Sequence, residues 1–246
     1  MTNVITIEVL AGMANRLRAL VSAMCLAEDL GRTLHVIWSA NDPACMARFH
    51  MLFTGLPSWV TVDTGPAMGN STALLNQGDM EEWISLGAKG LLRSYAHFYR
   101  KDPERWLAHL RAIKPLSQPI VPDGAIGVHI RRGDHTKAKA NSPLSAFIHA
   151  MEAYPPTTKF VVATDSTTEK EFLQKRFGDQ LQFYAVSFSR MTALGMKSAL
   201  DDFVALSKCN EILGSYDSSF SELAAMYGNK PLRVIAEMAS EQTPPA

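Results

Sequence analysis

The 246-residue chain has few cysteines, no excess of either charge and no long apolar run, and each shortage excludes a class of protein. Its three cysteines, Cys25, Cys45 and Cys209, are odd in number and far apart, which favours reduced thiols over a disulfide framework or a zinc site. Lysine plus arginine number 24, as do aspartate plus glutamate, so no overall basic field favours nucleic acid as a partner. Neither a bilayer-crossing segment nor a signal peptide is evident, so we expect a cytoplasmic protein without an integral membrane segment.

The composition, 47% hydrophobic and 20% charged, is that of an ordinary globular protein with one large or two small domains. In the first half, apolar residues alternate or recur at helical spacing in several segments. The predicted elements there are strands at residues 4–10, 34–38 and 59–63 and helices at residues 16–30, 79–86 and 103–113. The opening segments therefore indicate a β-α-β unit, and the pattern weakens between residues 39 and 92.

A segment with three prolines, residues 114–124, predicts a linker, and beyond it strands alternate regularly with helices. The predicted elements are strands at residues 125–130, 159–163, 181–186, 211–214 and 232–236 and helices at residues 143–153, 167–177, 192–209 and 218–227. Strands separated by helices of this length imply right-handed crossovers and a parallel sheet. We therefore expect an α/β fold of two Rossmann-like domains, residues 1–117 and 118–246, with parallel sheets that face a cleft.

The most informative segment follows the apolar run at residues 125–128, which stops at His129 and at two adjacent arginines. Burying two guanidiniums in a sheet without compensation is costly, so Arg131 and Arg132 are expected at the open carboxyl end of a strand. An arginine fork there suits a polyphosphate. Strand alternation would put His129 and Arg131 on one face and Arg132 on the other, paired with Asp134 or a neighbouring loop. The alternative is a surface arginine pair held by Asp134.

Other polar clusters follow predicted strand ends or open helices. Gly12 would let the first turn pass close to a ligand, whereas Asn15 could approach that ligand or only cap the helix. Asp165 could accept hydrogen bonds from a ribose or a base, or cap the helix that follows. The segment at Gly12 lacks the G-x-G-x-x-G spacing of a dinucleotide fingerprint.

A cluster of small hydroxyl residues opens the last predicted helix, where hydroxyl and N–H groups favour an anion. Ser218 and Ser219 belong to it, and the alternative is an N-cap in a capping box with Glu222. Asp202, in the preceding helix, could bind a ligand or be a solvated surface carboxylate. We expect no metal site, because no cluster of histidine, cysteine and carboxylate is evident.

Four segments, in order, resemble the fucosyltransferase superfamily that includes α1,2-, α1,6- and protein O-fucosyltransferases. GMANRL is similar to the N-terminal G-x-x-N-R-L loop of that superfamily, and GVHIRRGDH to its H-x-R-R-G-D motif. VVATDS is similar to its A-T-D segment at a strand end, and DFVALSKCNEILGSYDSSFSELA to its C-terminal D-x(3)-L-S…S-S-F-S region. The resemblance implies a GT-B-like fold and an inverting transferase that moves fucose from GDP-fucose to a glycan hydroxyl, with no obligatory metal or other cofactor.

The resemblance also implies roles for residues. Arg131 would hold the β-phosphate and stabilise the departing GDP, and Asn15 would lie near the sugar or the acceptor. The expected donor-binding residues are Gly12, His129, Arg131, Asp165, Asp202, Ser218, Ser219 and Phe220, and the expected catalytic residues are Arg131, Asn15 and Asp134. The first domain would be the acceptor side and the second the donor side.

The general base stays open among Asp134, Glu8 and His135. Two alternatives to a fucosyltransferase also remain. One is a transferase that uses another nucleotide sugar, because the residues alone do not specify guanine. The other is a nucleotide-sugar-binding protein without turnover, which the missing base keeps open.

Overall fold

The computed structural model describes residues 3–66, 69–133 and 135–236. The chain divides into two units, each built on its own five-stranded parallel sheet. Unit 1 comprises Met1–Pro119 and Ala185–Val204, and unit 2 comprises Ile120–Tyr184 and Ala205–Ala246. The predicted α/β class with parallel sheets is thereby confirmed. Among the helices of the described ranges, none has both the length and the apolar character that crossing a membrane requires.

Unit 1 has a parallel sheet with the short antiparallel pair β3–β7 beside it. Its elements are β1 (Val4–Val9), α1 (Met13–Asp29), β2 (Thr33–Ile37), β3 (Phe53–Thr54), β4 (Val60–Asp63), β5 (Ser71–Ala73), α2 (Gln77–Ser85), β6 (Leu91–Ser94), α3 (Pro103–Ala112) and β7 (Lys114–Pro115). The strand order in the sheet is β4-β2-β1-β6-β5. All six elements predicted from the sequence are present, with small differences at their ends.

The sequence did not predict β6, although this strand lies between β1 and β5 in the sheet. The apolar run in β6 is interrupted by Arg93, whose Nε lies 2.5 Å from Oε2 of Glu8 on β1. A charge pair between neighbouring strands stabilises this packing but breaks the hydrophobic pattern of both. β5 was missed for a simpler reason, since all three of its residues are exposed.

Unit 2 contains the more regular sheet, with strand order β10-β9-β8-β11-β12. The remaining elements are β8 (Ile126–Ile130), α4 (Thr136–Asn141), α5 (Leu144–Glu152), β9 (Phe160–Thr164), α6 (Thr167–Phe177), β10 (Leu181–Gln182), α7 (Ala193–Lys208), β11 (Glu211–Ser215), α8 (Ser219–Gly228) and β12 (Leu232–Ile235). Every residue of β8 and β9 is buried, as expected for parallel strands covered on both faces. The residues of α7 up to Val204 belong to unit 1, and those from Ala205 onward belong to unit 2.

One predicted strand, residues 181–186, is wrong beyond its first two residues. Two backbone N–H groups farther along this segment are bound by side chains of α7 instead of by a neighbouring strand. Asp202 accepts a hydrogen bond from the N–H of Ala185 at 3.2 Å, and the Ser198 hydroxyl accepts one from Val186 at 3.3 Å. Because these bonds satisfy the backbone locally, the segment does not need to extend the sheet.

Candidate functional site

The candidate site lies in unit 2 at the carboxyl end of the sheet, where β9, β8 and β11 are neighbours. Parallel strands end at the same edge, so the residues that follow them are brought together. The segments that meet there begin at Arg131 after β8 and at Asp165 after β9, and Ser215 ends β11. The sequence predicted this edge from the abrupt change from apolar to charged residues.

Arg131 forms an ion pair with Asp165, in which the Nη1 group contacts Oδ2. The two side chains are only 17% and 23% exposed. The other carboxylate oxygen of Asp165 accepts a hydrogen bond from the backbone N–H of Arg132 at 2.7 Å. Asp165 does not cap the following helix, because Ser166 is the N-cap of α6. The burial of both arginine side chains argues against a pair on the open surface, and Asp134, the supposed partner in that alternative, lies outside the described residues.

Arg132 is more deeply buried than Arg131 and binds a carboxylate that the sequence did not indicate. Its Nε donates to Oε1 of Glu169 on α6 at 2.8 Å. Burial raises the pKa of Glu169, but hydrogen bonds from Ser166 and Arg132 outweigh it, so the net pKa is lowered. β8 ends at Ile130, so strand alternation does not extend to the arginines, and both guanidiniums contact carboxylates that follow β9.

Gly133 makes room for the Arg131–Asp165 pair. It has a positive φ of 22°, and a Cβ added there would lie 2.7 Å from Oδ2 of Asp165 and 3.2 Å from Nη1 of Arg131. Any side chain at this position would push against the ion pair and adopt a strained backbone. The glycine of the H-x-R-R-G-D segment therefore has a steric reason.

The backbone around Arg131 is fixed from the opposite side by Ser215. The Ser215 hydroxyl accepts the N–H of Arg131 at 2.9 Å and donates to the carbonyl of His129 at 3.0 Å. Its side chain belongs to β11, on the side of β8 away from β9. Side chains from both neighbouring strands therefore hold the residues at the end of β8.

His129 is buried, with 6% of its surface exposed, and its ring packs against Phe220 with centroids 4.9 Å apart. Its Nδ1 lies 3.4 Å from the hydroxyl of Ser218. Burial, followed by the positive charge of Arg131, lowers the pKa of His129 to about 3. The imidazole is therefore neutral near pH 7 and offers one donor and one acceptor.

The N-terminus of α8 contributes Ser218, Ser219 and Phe220. Ser218 is the N-cap by position, but its hydroxyl makes no capping hydrogen bond and faces His129 instead. The alternative of a capping box with Glu222 is therefore wrong. Asp217, just before the cap, is exposed and has a φ of 52°. The positive end of the helix dipole at Ser219 favours an anion beside Arg131.

Three predicted residues belong to unit 1. Gly12 is the N-cap of α1 with an ordinary φ of −70°, so Asn15 does not cap this helix and that alternative is wrong. Asn15 accepts a hydrogen bond from Nη2 of Arg18 at 2.5 Å. Asp202 is 6% exposed, so the alternative of a solvated surface carboxylate is also wrong.

Arg16 of unit 1 has a structural role that the sequence did not reveal. Its side chain is fully buried and donates to the carbonyls of Ala11 at 2.8 Å and Ser39 at 2.6 Å. It also pairs with Asp42 at 2.9 Å and lies over the ring of Trp38 at 5.2 Å. Arg16 thus ties the loop after β1 to the loop after β2. A charged residue on the apolar face of a predicted helix was the available signal.

Among the described residues, the candidates for a general base are engaged in other contacts. Glu8 pairs with Arg93, and Nδ1 of His135 accepts the N–H of Ala138 at 3.0 Å as the N-cap of α4. Asp134 lies outside the described residues. In the described ranges, no group of three or more histidine, cysteine or carboxylate side chains is placed to hold a metal.

No protein-family model and no curated protein sequence matches the chain. Solved structures of fucosyltransferases do match it. The NodZ α-1,6-fucosyltransferase soaked with GDP-fucose has 18% identity and a TM-score of 0.61, over 92% of this chain and 93% of that chain. A mutant of Arabidopsis thaliana FUT1 in complex with GDP has 14% identity and a TM-score of 0.63, over 99% and 72%.

The apo form of POFUT1 has 10% identity and a TM-score of 0.58, over 94% of this chain and 97% of that chain. These alignments extend over nearly all of the present chain at low identity. The chain therefore has the fold of these fucosyltransferases, and the expected GT-B-like fold class is confirmed.

Proposed function

We propose that the protein is an inverting glycosyltransferase that moves fucose from GDP-fucose to a glycan hydroxyl without an obligatory metal. The observation that carries the proposal is the Arg131 guanidinium, mostly buried and oriented by Asp165 at the carboxyl end of the unit 2 sheet. The four-part resemblance of the sequence and the shared fold support it. Solved neighbours were studied with GDP or GDP-fucose, which supports the same donor here.

The departure of GDP explains why an arginine is needed. When the bond between the sugar and the diphosphate breaks, negative charge develops on the leaving GDP. Without a metal, cationic groups and N–H donors must stabilise that charge, and each preorganised donor contributes about 2.7–4 kcal/mol. The Arg131 guanidinium is held in a fixed orientation by Asp165, and the N-terminus of α8 adds a favourable dipole.

We assign the nucleoside to the other buried polar groups of unit 2. A neutral His129 can exchange hydrogen bonds with a base or ribose, and Phe220 holds its ring in place. Asp165 is assigned to the same nucleoside. Of the three candidate bases, Glu8 and His135 are engaged in other contacts, so we propose Asp134 as the general base.

We assign the acceptor to unit 1, where Asn15 would lie near the sugar or the acceptor. Gly12 and Asp202 are the donor contacts that we assign to this unit, and the N–H of Ala185 already occupies one oxygen of the Asp202 carboxylate. A carboxylate has room for further hydrogen bonds, so this contact is compatible with a guanosine partner.

A second candidate function is a nucleotide-sugar-binding protein without turnover. The observation that favours it is that Glu8 and His135, two of the three candidate bases, are bound within the fold. Such a protein would keep the donor site and lack the step that activates the acceptor.

Incubation of the protein with GDP-fucose and EDTA, without acceptor, separates the two functions. Slow release of GDP and fucose indicates an enzyme, whereas tight binding without hydrolysis indicates a binding protein. Arg131→Ala should abolish release while the protein still folds. Arg131→Lys should also be poor, because an ammonium group cannot reproduce the fork. Release at the wild-type rate by either variant contradicts the role of Arg131.

A further inference from the structure

Ser215 occupies the point where the backbone ladder between β8 and β11 ends. The last paired residues are His129 and Gly214, and Ser215 is the next residue of β11. Its side chain continues the pairing in place of the backbone, because one hydroxyl joins the N–H of Arg131 to the carbonyl of His129. The residue is 2% exposed, so water does not replace these bonds.

We propose that Ser215 is a positioning residue for Arg131. The hydroxyl of Ser215 holds the backbone of Arg131 and thereby sets the orientation of the guanidinium at the end of β8. The proposal rests on the proposed function, in which Arg131 binds the β-phosphate of GDP. Arg131 follows the last residue of β8, Ile130. Its backbone is held by Ser215 and its guanidinium by Asp165, on the two sides of β8.

The chemistry of serine fits this role because a single hydroxyl both accepts and donates. Alanine at position 215 would leave the N–H of Arg131 and the carbonyl of His129 buried without this partner. Cysteine would preserve most of the volume, but its thiol is a weak donor and a weak acceptor. Either change would loosen the backbone of Arg131 without removing its charge.

The test compares the affinities of GDP and GMP, because GMP lacks the β-phosphate that Arg131 is proposed to bind. Calorimetry on Ser215→Ala and Ser215→Cys should show a GDP-to-GMP affinity ratio about twofold to tenfold below that of the wild type, as for one neutral hydrogen bond. In an Arg131→Ala background, Ser215→Ala should leave the ratio unchanged. A purely structural role for Ser215 would lower both affinities together.

Ser22→Ala is the matched control, since Ser22 is another buried hydroxyl, accepting the indole N–H of Trp106 at 3.2 Å in unit 1. It should lower the melting temperature and leave the GDP-to-GMP ratio unchanged. A folded Ser215→Ala or Ser215→Cys variant with the wild-type ratio would overturn the positioning role alone, provided that Arg131→Ala lowers the ratio. If the wild type does not prefer GDP to GMP, both this proposal and the phosphate role of Arg131 are wrong.

Discussion

Acidification should destabilise the fold through His129, because this histidine takes up its proton far more readily in the unfolded chain. Burial and the neighbouring Arg131 lower its pKa from 6.5 to about 3 in the native state. Between these two values the unfolded state binds more protons than the native state, so the free energy of unfolding falls as the pH falls. Well above pH 6.5 both states are neutral, and the histidine contributes no pH dependence.

The size of the effect follows from the distance to the unfolded pKa. Each pH unit below 6.5 is worth about 1.4 kcal/mol, so at about pH 5 the loss from His129 approaches 2 kcal/mol. Urea unfolding of the wild type and of His129→Gln at pH 7 and pH 5 measures it. Glutamine keeps a donor and an acceptor but does not titrate, so the variant should lose about 2 kcal/mol less than the wild type over this interval.

The choice of probe matters because all four tryptophans lie in unit 1, at positions 38, 59, 83 and 106. Tryptophan fluorescence follows that unit, and far-UV circular dichroism follows the helices and strands of both. His97→Gln is the parallel variant in unit 1, because burial and the charges of Arg18 and Arg100 lower the pKa of His97 to about 3 as well. If circular dichroism shows an equal loss of stability in the wild type and in His129→Gln, His129 is not the cause of the acid destabilisation.

Three further substitutions test the contacts made at Gly133, Glu169 and Arg16. Gly133→Ala should weaken GDP binding measured by calorimetry by about tenfold, because its Cβ would lie 2.7 Å from Asp165 Oδ2; unchanged affinity would contradict this. Glu169→Gln should lower the free energy of unfolding by up to about 3 kcal/mol, since Arg132 would keep a buried charge without its carboxylate; an unchanged urea midpoint would argue against it. Arg16→Lys should lower the free energy of unfolding by about 3 kcal/mol in the transition followed by tryptophan fluorescence, because an ammonium group cannot reach all the partners of the guanidinium. An unchanged transition would show that the contacts of Arg16 with the two loops are not needed for stability.

The strands that form the candidate site could be predicted because their surroundings leave a simple pattern. β8 and β9 are buried on both faces, so each is a continuous apolar run that ends at charged residues. The runs themselves placed Arg131 and Asp165 just after the ends of their strands. β6 could not be found in this way, because the Arg93–Glu8 pair lies inside the sheet and interrupts the apolar pattern.

The partners within the site could not be predicted, since they join segments distant in sequence. Glu169 is 37 residues from Arg132, and Ser215 is 84 residues from Arg131. Periodicity reports which face of an element is buried but not which side chain of a neighbouring element will meet it. Sequence alone could not decide between a cap and a ligand contact at Ser218 for a related reason. Its position before α8 favours a cap, but its hydroxyl faces His129.

A crystal structure of the protein soaked with GDP would show whether Arg131 binds the diphosphate. We expect the Arg131 guanidinium within hydrogen-bond distance of the β-phosphate, with the diphosphate at the N-terminus of α8 and His129 beside the nucleoside. A structure in which the nucleotide binds elsewhere, while Arg131 contacts only Asp165, would contradict this expectation.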